Sequence, residues 1–344
     1  RRNRLQSLAS QRFETFWNQL APSNTGKRLA IIGSEQPLNF GSLRHKHLCH
    51  FISNTKDSLQ EAKNLGFVIS TILKHYYDII ILELTKSKET NLGLLAWAEE
   101  HLRDGGKMII NGDNQVGVKS FLKNISNLWP AEIIMIKKKG RVALYQKKTQ
   151  LFGHWKKYQN FHKNRDGYYT RSDMFSPKEI DKGSQKLTSA FSSKLYGEVA
   201  DLGSGWGYLS KEALRLNDKI NRVTLFENNY SALLASKKNI NDKRAIFRWV
   251  SLKNIRNLNL RFNHVICNPP FHSGHPKDID LLRSFVWHSS RLVNRQGSVW
   301  MVFVSGVYLE SELKEYFDSV KIFYKDNHYF VCRLQKPKTK KAIA

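Results

Sequence analysis

Apolar residues in the second half of the chain fall into short runs separated by amphipathic stretches. The runs Val199–Leu202, Val223–Glu227, Ala245–Val250, His264–Cys267 and Val299–Val304 are strand-length and end at polar or glycine-rich breaks, so they predict buried strands. Between them, helical patterning falls near Leu209–Leu216, Ser231–Asn239, Ile279–Leu292 and Glu310–Phe317. A late pair, Lys321–Tyr324 and Tyr329–Leu334, is joined by the turn Lys325-Asp326-Asn327-His328. Strands that alternate with helices make a parallel α/β sheet, and in such sheets ligands sit beyond the strand C-termini.

The first half repeats this grammar. Arg28-Leu29-Ala30-Ile31-Ile32-Gly33-Ser34 parallels Gly197 to Ser204, and Tyr77-Asp78-Ile79-Ile80-Ile81 parallels Asn263-His264-Val265-Ile266. Leu102-Arg103-Asp104-Gly105-Gly106-Lys107 leads into Met108-Ile109-Ile110 as Val293-Asn294-Arg295-Gln296-Gly297 leads into Ser298-Val299-Trp300. A Gly-Val pair and a helical stretch follow in each half, at Gly117-Val118 and Gly306-Val307. The pattern predicts two tandem α/β domains: residues 1–150, a linker at 151–170, a second domain at 171–335 and a basic tail at 336–344.

A chain of 344 residues with 41% hydrophobic and 12% aromatic residues can build two cores. No apolar run approaches the length of a membrane span, and the N-terminal Arg1-Arg2-Asn3-Arg4 leads into no apolar signal core. Cys49, Cys267 and Cys332 lie far apart without metal-ligand spacing, which predicts reduced core residues of a cytoplasmic protein and no metal. Cys267, inside the strand before Asn268, reads as a buried residue and not as a nucleophile. The net charge of +27, from 56 Lys+Arg against 29 Asp+Glu, favours a polyanionic partner. Between the halves, Trp155, Lys156, Lys157, Lys163 and Arg165 interleave aromatic and basic side chains; such residues bind phosphates and stack on unpaired bases, or else seal a packing surface.

The chemistry is concentrated in the second half. Glu198-Val199-Ala200-Asp201-Leu202 runs into Gly203-Ser204-Gly205-Trp206-Gly207-Tyr208. Tyr208 stands where a dinucleotide fingerprint needs a small residue, and Asp201 would repel a pyrophosphate. A carboxylate there instead favours a ligand with a sulfonium and an ammonium group. Glu227, at the next strand end, can accept both hydroxyls of an unphosphorylated ribose. These features suit S-adenosylmethionine (SAM) better than a dinucleotide. A later strand, the fourth, ends in Asn268-Pro269-Pro270-Phe271. Neither proline donates an N–H, so the strand stops, leaving the Asn268 side chain and the Pro269 carbonyl as acceptors for a planar amine, with Phe271 for stacking.

In this order the motifs resemble those of class I SAM-dependent methyltransferases that methylate amino groups. More closely, the second half resembles the RsmC/RlmG-type rRNA guanine-N2 methyltransferases, from Met174-Phe175-Ser176 and Asp181-Lys182-Gly183-Ser184 through Val331-Cys332-Arg333. The resemblance implies two Rossmann-like domains, the first a degenerate copy, and a cofactor site that includes Phe175, Gly183, Ser184, Asp201, Gly203, Ser204, Gly205, Glu227, Asn228 and Asn268. One position departs from the family pattern: Trp249-Val250-Ser251 stands where an aspartate often holds the adenine amine, so Ser251 becomes the candidate for that contact. His272 and His275 read as rim residues. The implied partner is ribosomal RNA or a ribosomal subunit, bound by a monomer with no membrane attachment. Asn-Pro-Pro-Phe also serves adenine and protein glutamine methylation, and a non-catalytic RNA-binding assembly factor is the alternative of a different class.

Overall fold

The strand runs of both halves pair as their patterning predicts, and the two halves adopt one topology. The computed structural model describes residues 7–20, 26–270, 276–306 and 310–338. Arg1–Arg4, Phe271, His272, His275, Val307 and the tail from Thr339 lie outside the described residues. The chain divides into two compact units. One runs through Phe161 and takes back Arg171–Asp173; the other comprises His162–Thr170 and the chain from Met174.

The first unit contains α1 (Leu8–Leu20), β1 (Arg28–Ile32), β2 (Leu48–Ile52), α2 (Lys56–Asn64), β3 (Val68–Ser70), β4 (Tyr77–Glu83), α3 (Lys88–His101), β5 (Leu102–Asp113), α4 (Val118–Ser126), β6 (Ile133–Lys137) and β7 (Gly140–Gln146). Its sheet has the order β3-β2-β1-β4-β5-β7-β6, parallel except around β7. The basic-aromatic segment does not run free: Gly153–Gln159 forms a short 3₁₀ helix whose Trp155 packs against the core of this unit. Gly93 of α3 makes room for it, since a Cβ there would come 3.0 Å from the Tyr158 Cβ.

The second unit opens with a small hairpin, β8 (His162–Lys163) and β9 (Tyr169–Thr170). There follow α5 (Lys182–Phe191), β10 (Gly197–Leu202), α6 (Tyr208–Leu216), β11 (Ile220–Glu227), α7 (Tyr230–Asn239), β12 (Ala245–Trp249), α8 (Leu252–Ile255) and β13 (Phe262–Cys267). The chain closes with α9 (Pro276–Leu292), β14 (Val293–Val304), α10 (Glu310–Tyr316), β15 (Phe317–Lys325) and β16 (Tyr329–Pro337). Its strand order, β12-β11-β10-β13-β14-β16-β15, repeats that of the first unit. Alternate residues of the central strands feed two cores: Val265, Cys267, Val299 and Met301 on one face, and Ile266, Trp300 and Val302 on the other. A parallel sheet covered on both sides requires this double burial, which is why β13 reads as an almost unbroken apolar run. β14 begins earlier than its apolar pattern suggests, with a register shift between Phe262 and His264 that lets Val293 pair ahead of the main ladder.

In the first unit the strand ends are closed by a polar network. Arg12 of α1 is fully buried. Its Nε donates to Asn111 Oδ1 at 2.7 Å, its Nη1 to the Lys138 carbonyl at 3.0 Å and its Nη2 to Asp113 at 2.8 Å. Asn111 in turn donates to Glu83 at 2.7 Å. Burial pushes the Glu83 carboxyl up to about 8, against the pull of Asn111 and Arg12. Arg12→Ala should lower the stability of this unit by about 1–3 kcal/mol, because it leaves the buried Asn111 Oδ1 unpaired while the half-exposed Asp113 turns to water. Amide hydrogen exchange should show the loss in β4 and β5 and not in β10 or β13. Unchanged protection would mean that Arg12 adds no net stability.

Candidate active site

β10 has parallel neighbours on both sides, β11 and β13. The chain therefore leaves these three strands at the same edge, and connections diverge on either side of β10, which opens a crevice there. Asp201 is fully buried near the end of β10. Its Oδ2 accepts the Ser210 hydroxyl at 2.6 Å, while Oδ1 has no partner. Burial raises the carboxyl to about 7; the Ser210 hydrogen bond opposes this and the nearby Glu227 adds to it.

The loop that follows turns on glycine. Gly205 has φ +54°, and the direction a Cβ would take is open for 4 Å. Its N–H donates to Glu227 Oε2 at 2.7 Å, and Asn229 N–H donates to Oε1 at 2.9 Å. Burial raises the Glu227 carboxyl, with backbone N–H groups opposing the shift. A Cβ on Gly203 would come 3.1 Å from the Phe285 ring, so a side chain there would press on α9. The Ser204 hydroxyl is buried without a partner. The Asn228 carbonyl accepts the Trp249 indole N–H at 2.7 Å, and the buried Ser251 hydroxyl accepts the Lys253 N–H at 3.2 Å.

These residues fit the cofactor that their sequence suggests. An orphaned carboxylate oxygen on Asp201 suits a cationic ligand, the open side of Gly205 admits close approach to backbone, and a carboxylate has room for an acceptor role beyond the backbone N–H groups already on Glu227.

At the end of β13 the Asn268 amide nitrogen donates to Asp181 Oδ2 at 3.0 Å and to Ser184 Oγ at 2.8 Å. The proline pair does end the strand, but one end of the Asn268 side chain is engaged and only its carbonyl end is left to present. Asn268 and Pro269 line a cavity with Phe175, Asp181, Phe303 and Tyr329. Phe175 is 50% exposed, and its carbonyl accepts the Trp206 indole N–H at 2.8 Å. Gly183 lies under Tyr329: a Cβ there would come 2.8 Å from that ring and 3.0 Å from Asp181 Oδ2. Phe175, Gly183 and Ser184 thus lie beside Asn268, and Phe175 reaches the glycine loop through Trp206; Asp201, Gly203, Ser204, Gly205, Glu227 and Asn228 lie on and around that loop. Tyr329 carried no sequence signal for this cavity. Asp181 lay inside a quoted motif without a role.

The basic-aromatic residues have local partners. In the first unit Trp155 stacks on Phe152, with ring centroids 5.0 Å apart, and Lys156 pairs with Glu100 at 2.7 Å. Lys157 sits over the Tyr158 ring at 5.3 Å. In the second unit Lys163 lies over Tyr169 at 5.5 Å, and the exposed Arg165 pairs with Glu179 at 3.2 Å. Cys267 donates to the Leu202 carbonyl at 3.1 Å, and burial pushes its thiol well up. Among the described residues no His/Cys/Asp/Glu group could hold a metal, and no helix is long and apolar enough to cross a membrane.

The first unit has the same strand ends with other chemistry. After β1 the loop carries Glu35, whose carboxylate accepts the Ser53 hydroxyl at 2.9 and 3.1 Å; Ser53 follows β2, the counterpart of β11. The acid has moved from strand end to loop, and it is satisfied within the protein. Glu83 stands where the second unit has Asn268.

Comparison with known proteins agrees with this division. The methyltransferase small domain model matches residues 167–333, and the methyltransferase small domain N-terminal model matches residues 25–164. Ribosomal RNA small subunit methyltransferase C of Psychromonas ingrahamii is 26% identical over 328 residues, covering 89% of this chain and 92% of that protein. Its namesake from Buchnera aphidicola subsp. Schizaphis graminum is 30% identical over 158 residues, 46% of this chain and 47% of that protein. The T. thermophilus 16S rRNA N2 guanine methyltransferase RsmC, in complex with AdoMet and guanosine, shares the fold with a TM-score of 0.77 at 20% identity, covering 90% of this chain and 88% of that one. With the two family models matched in tandem and relatives aligned along most of its length, the chain belongs to the methyltransferase small domain family, as a two-domain SAM-dependent methyltransferase of the RsmC type.

Proposed function

We propose that the second unit methylates the exocyclic N2 amine of a guanine in small-subunit ribosomal RNA, acting in the cytoplasm as a monomer. The observation that carries the reading is the held amide of Asn268, whose nitrogen is consumed by Asp181 and Ser184 beside the cavity. SAM, when bound, supplies an electrophilic methyl carbon on a sulfonium. The guanine amine is a poor nucleophile because its lone pair is delocalised into the ring. Accepting its two N–H bonds with Asn268 Oδ1 and the Pro269 carbonyl favours a pyramidal nitrogen and offsets positive charge as the N–C bond forms and the S–C bond breaks. The methylated amine then gives its proton to water, so no strong base is required. The remaining contribution is alignment of nitrogen, carbon and sulfur. The base must be unpaired or flipped to enter, and two aromatic residues of the cavity, Phe175 and Tyr329, give it a stacking surface. The rRNA substrate is supported by the relatives' names and by the +27 charge.

Asp201 makes cofactor binding pH-dependent. Its ligand-free carboxyl titrates at about 7, and a cationic ligand favours the ionised form. SAM affinity should therefore rise with pH from about 5 to about 7 and level off above that range. Calorimetry in buffers of different ionisation heat should detect proton release, lost in Asp201→Asn and kept in Glu35→Gln. By the same linkage the ligand-free unit loses stability as pH rises from about 4, the ordinary carboxyl value, through 7. A flat affinity profile would remove Asp201 from the site.

Asn268→Ala should slow single-turnover methyl transfer by about 10²–10³, the loss expected for an oriented hydrogen-bonding group, with SAM affinity nearly unchanged. A rate near wild type would overturn the amine-holding role.

We also propose that the basic-aromatic segment contacts RNA phosphates. Replacing Lys156, Lys157, Lys163 and Arg165 with alanine should flatten log K against log salt by roughly one unit per lost phosphate contact. SAM affinity should not move. An unchanged slope would leave the segment a packing element.

A further inference from the structure

We propose that Asp181 and Ser184 are positioning residues that fix the polarity of the Asn268 amide, and that this polarity restricts the site to amino-group substrates. The inference rests on the reading of Asn268 given above. An asparagine amide is almost symmetric in shape but opposite in chemistry at its two ends: one donates and the other accepts. Left free it could turn either end to the cavity. With its nitrogen outward it would hold a carbonyl or a ring nitrogen and repel an N–H.

The hydrogen bonds remove that freedom. Both amide hydrogens are used, one on Asp181 Oδ2 at 3.0 Å and one on Ser184 Oγ at 2.8 Å. A carboxylate can only accept, so a reversed amide would set two acceptor oxygens against each other at that distance. Asp181 is itself fixed, because it caps α5 and the same Oδ2 accepts the Ser184 N–H at 2.8 Å. Residues three apart at a helix start lie on one side, which brings the cap and the hydroxyl to the same amide. Gly183 completes the arrangement, since a side chain there would press on Asp181 Oδ2 and the Tyr329 ring. Asp181-Lys182-Gly183-Ser184 is thus one device for holding an amide 84 residues beyond Ser184.

Single-turnover methylation by the full chain tests this. Ser184→Ala leaves the helix cap intact, because the capped group is a backbone N–H. At saturating SAM and RNA it should slow transfer roughly tenfold, about the worth of one hydrogen bond. Asp181→Asn keeps a capping side chain but can donate to Asn268 and so permits the reversed amide; it should slow transfer more than Ser184→Ala does. The deciding measurement is the double-mutant cycle. In an Asn268→Ala background neither change should slow the reaction further, since both act through that amide. Additive losses would overturn the proposal, as would wild-type rates for both variants while Asn268→Ala alone is slow. A wild-type rate for Asn268→Ala would instead remove the reading on which the proposal rests.

Discussion

The parallel pairing of β10 with β11 on one side and β13 on the other is the constraint on which the rest depends. Parallel strands in register end together, and connections that diverge across the sheet cannot cover the edge where they part. Asp201, Glu227 and Asn268 are distant in sequence and come from three different strands, yet the topology brings them to one edge. The local chemistry then needs only short-range devices: a left-handed glycine, a proline pair and a capped helix.

The two units show how little of a site is held by its fold. Strand order is the same in both, and both close with an antiparallel pair. At the second unit's edge the acid belongs to the strand and accepts the Gly205 N–H of the glycine loop; in the first the acid belongs to the loop and is met by a serine hydroxyl. A few side chains decide whether the edge receives a ligand or satisfies itself.

Much of this was legible along the chain. The apolar runs locate the central strands because double burial makes them nearly continuous, and the glycine loop and Asn-Pro-Pro have local causes in φ and in missing N–H groups. The strand ends therefore marked the site. What escaped were contacts between distant segments. Nothing near Asp181 signals that its carboxylate meets an amide 87 residues on, and Tyr329 looks like any aromatic in a closing hairpin. The bond that ties Phe175 to Trp206 of the glycine loop was also invisible, because the motif that contains Phe175 carries no direction in space. Trp155 has the composition of a base-stacking residue, but composition does not reveal that Phe152 already occupies one of its faces.

The unpaired Oδ1 of Asp201 has a counterpart in the fully engaged Arg12, and the contrast separates the two units in chemistry. The first unit satisfies its own strand ends and is complete once folded. The second folds around a buried Asp201 Oδ1 that has no partner among the described residues, and a molecule that met it would stabilise the native state by mass action. A unit that carries such an acceptor is more stable the more ligand is present, whereas the Arg12 network is complete without one.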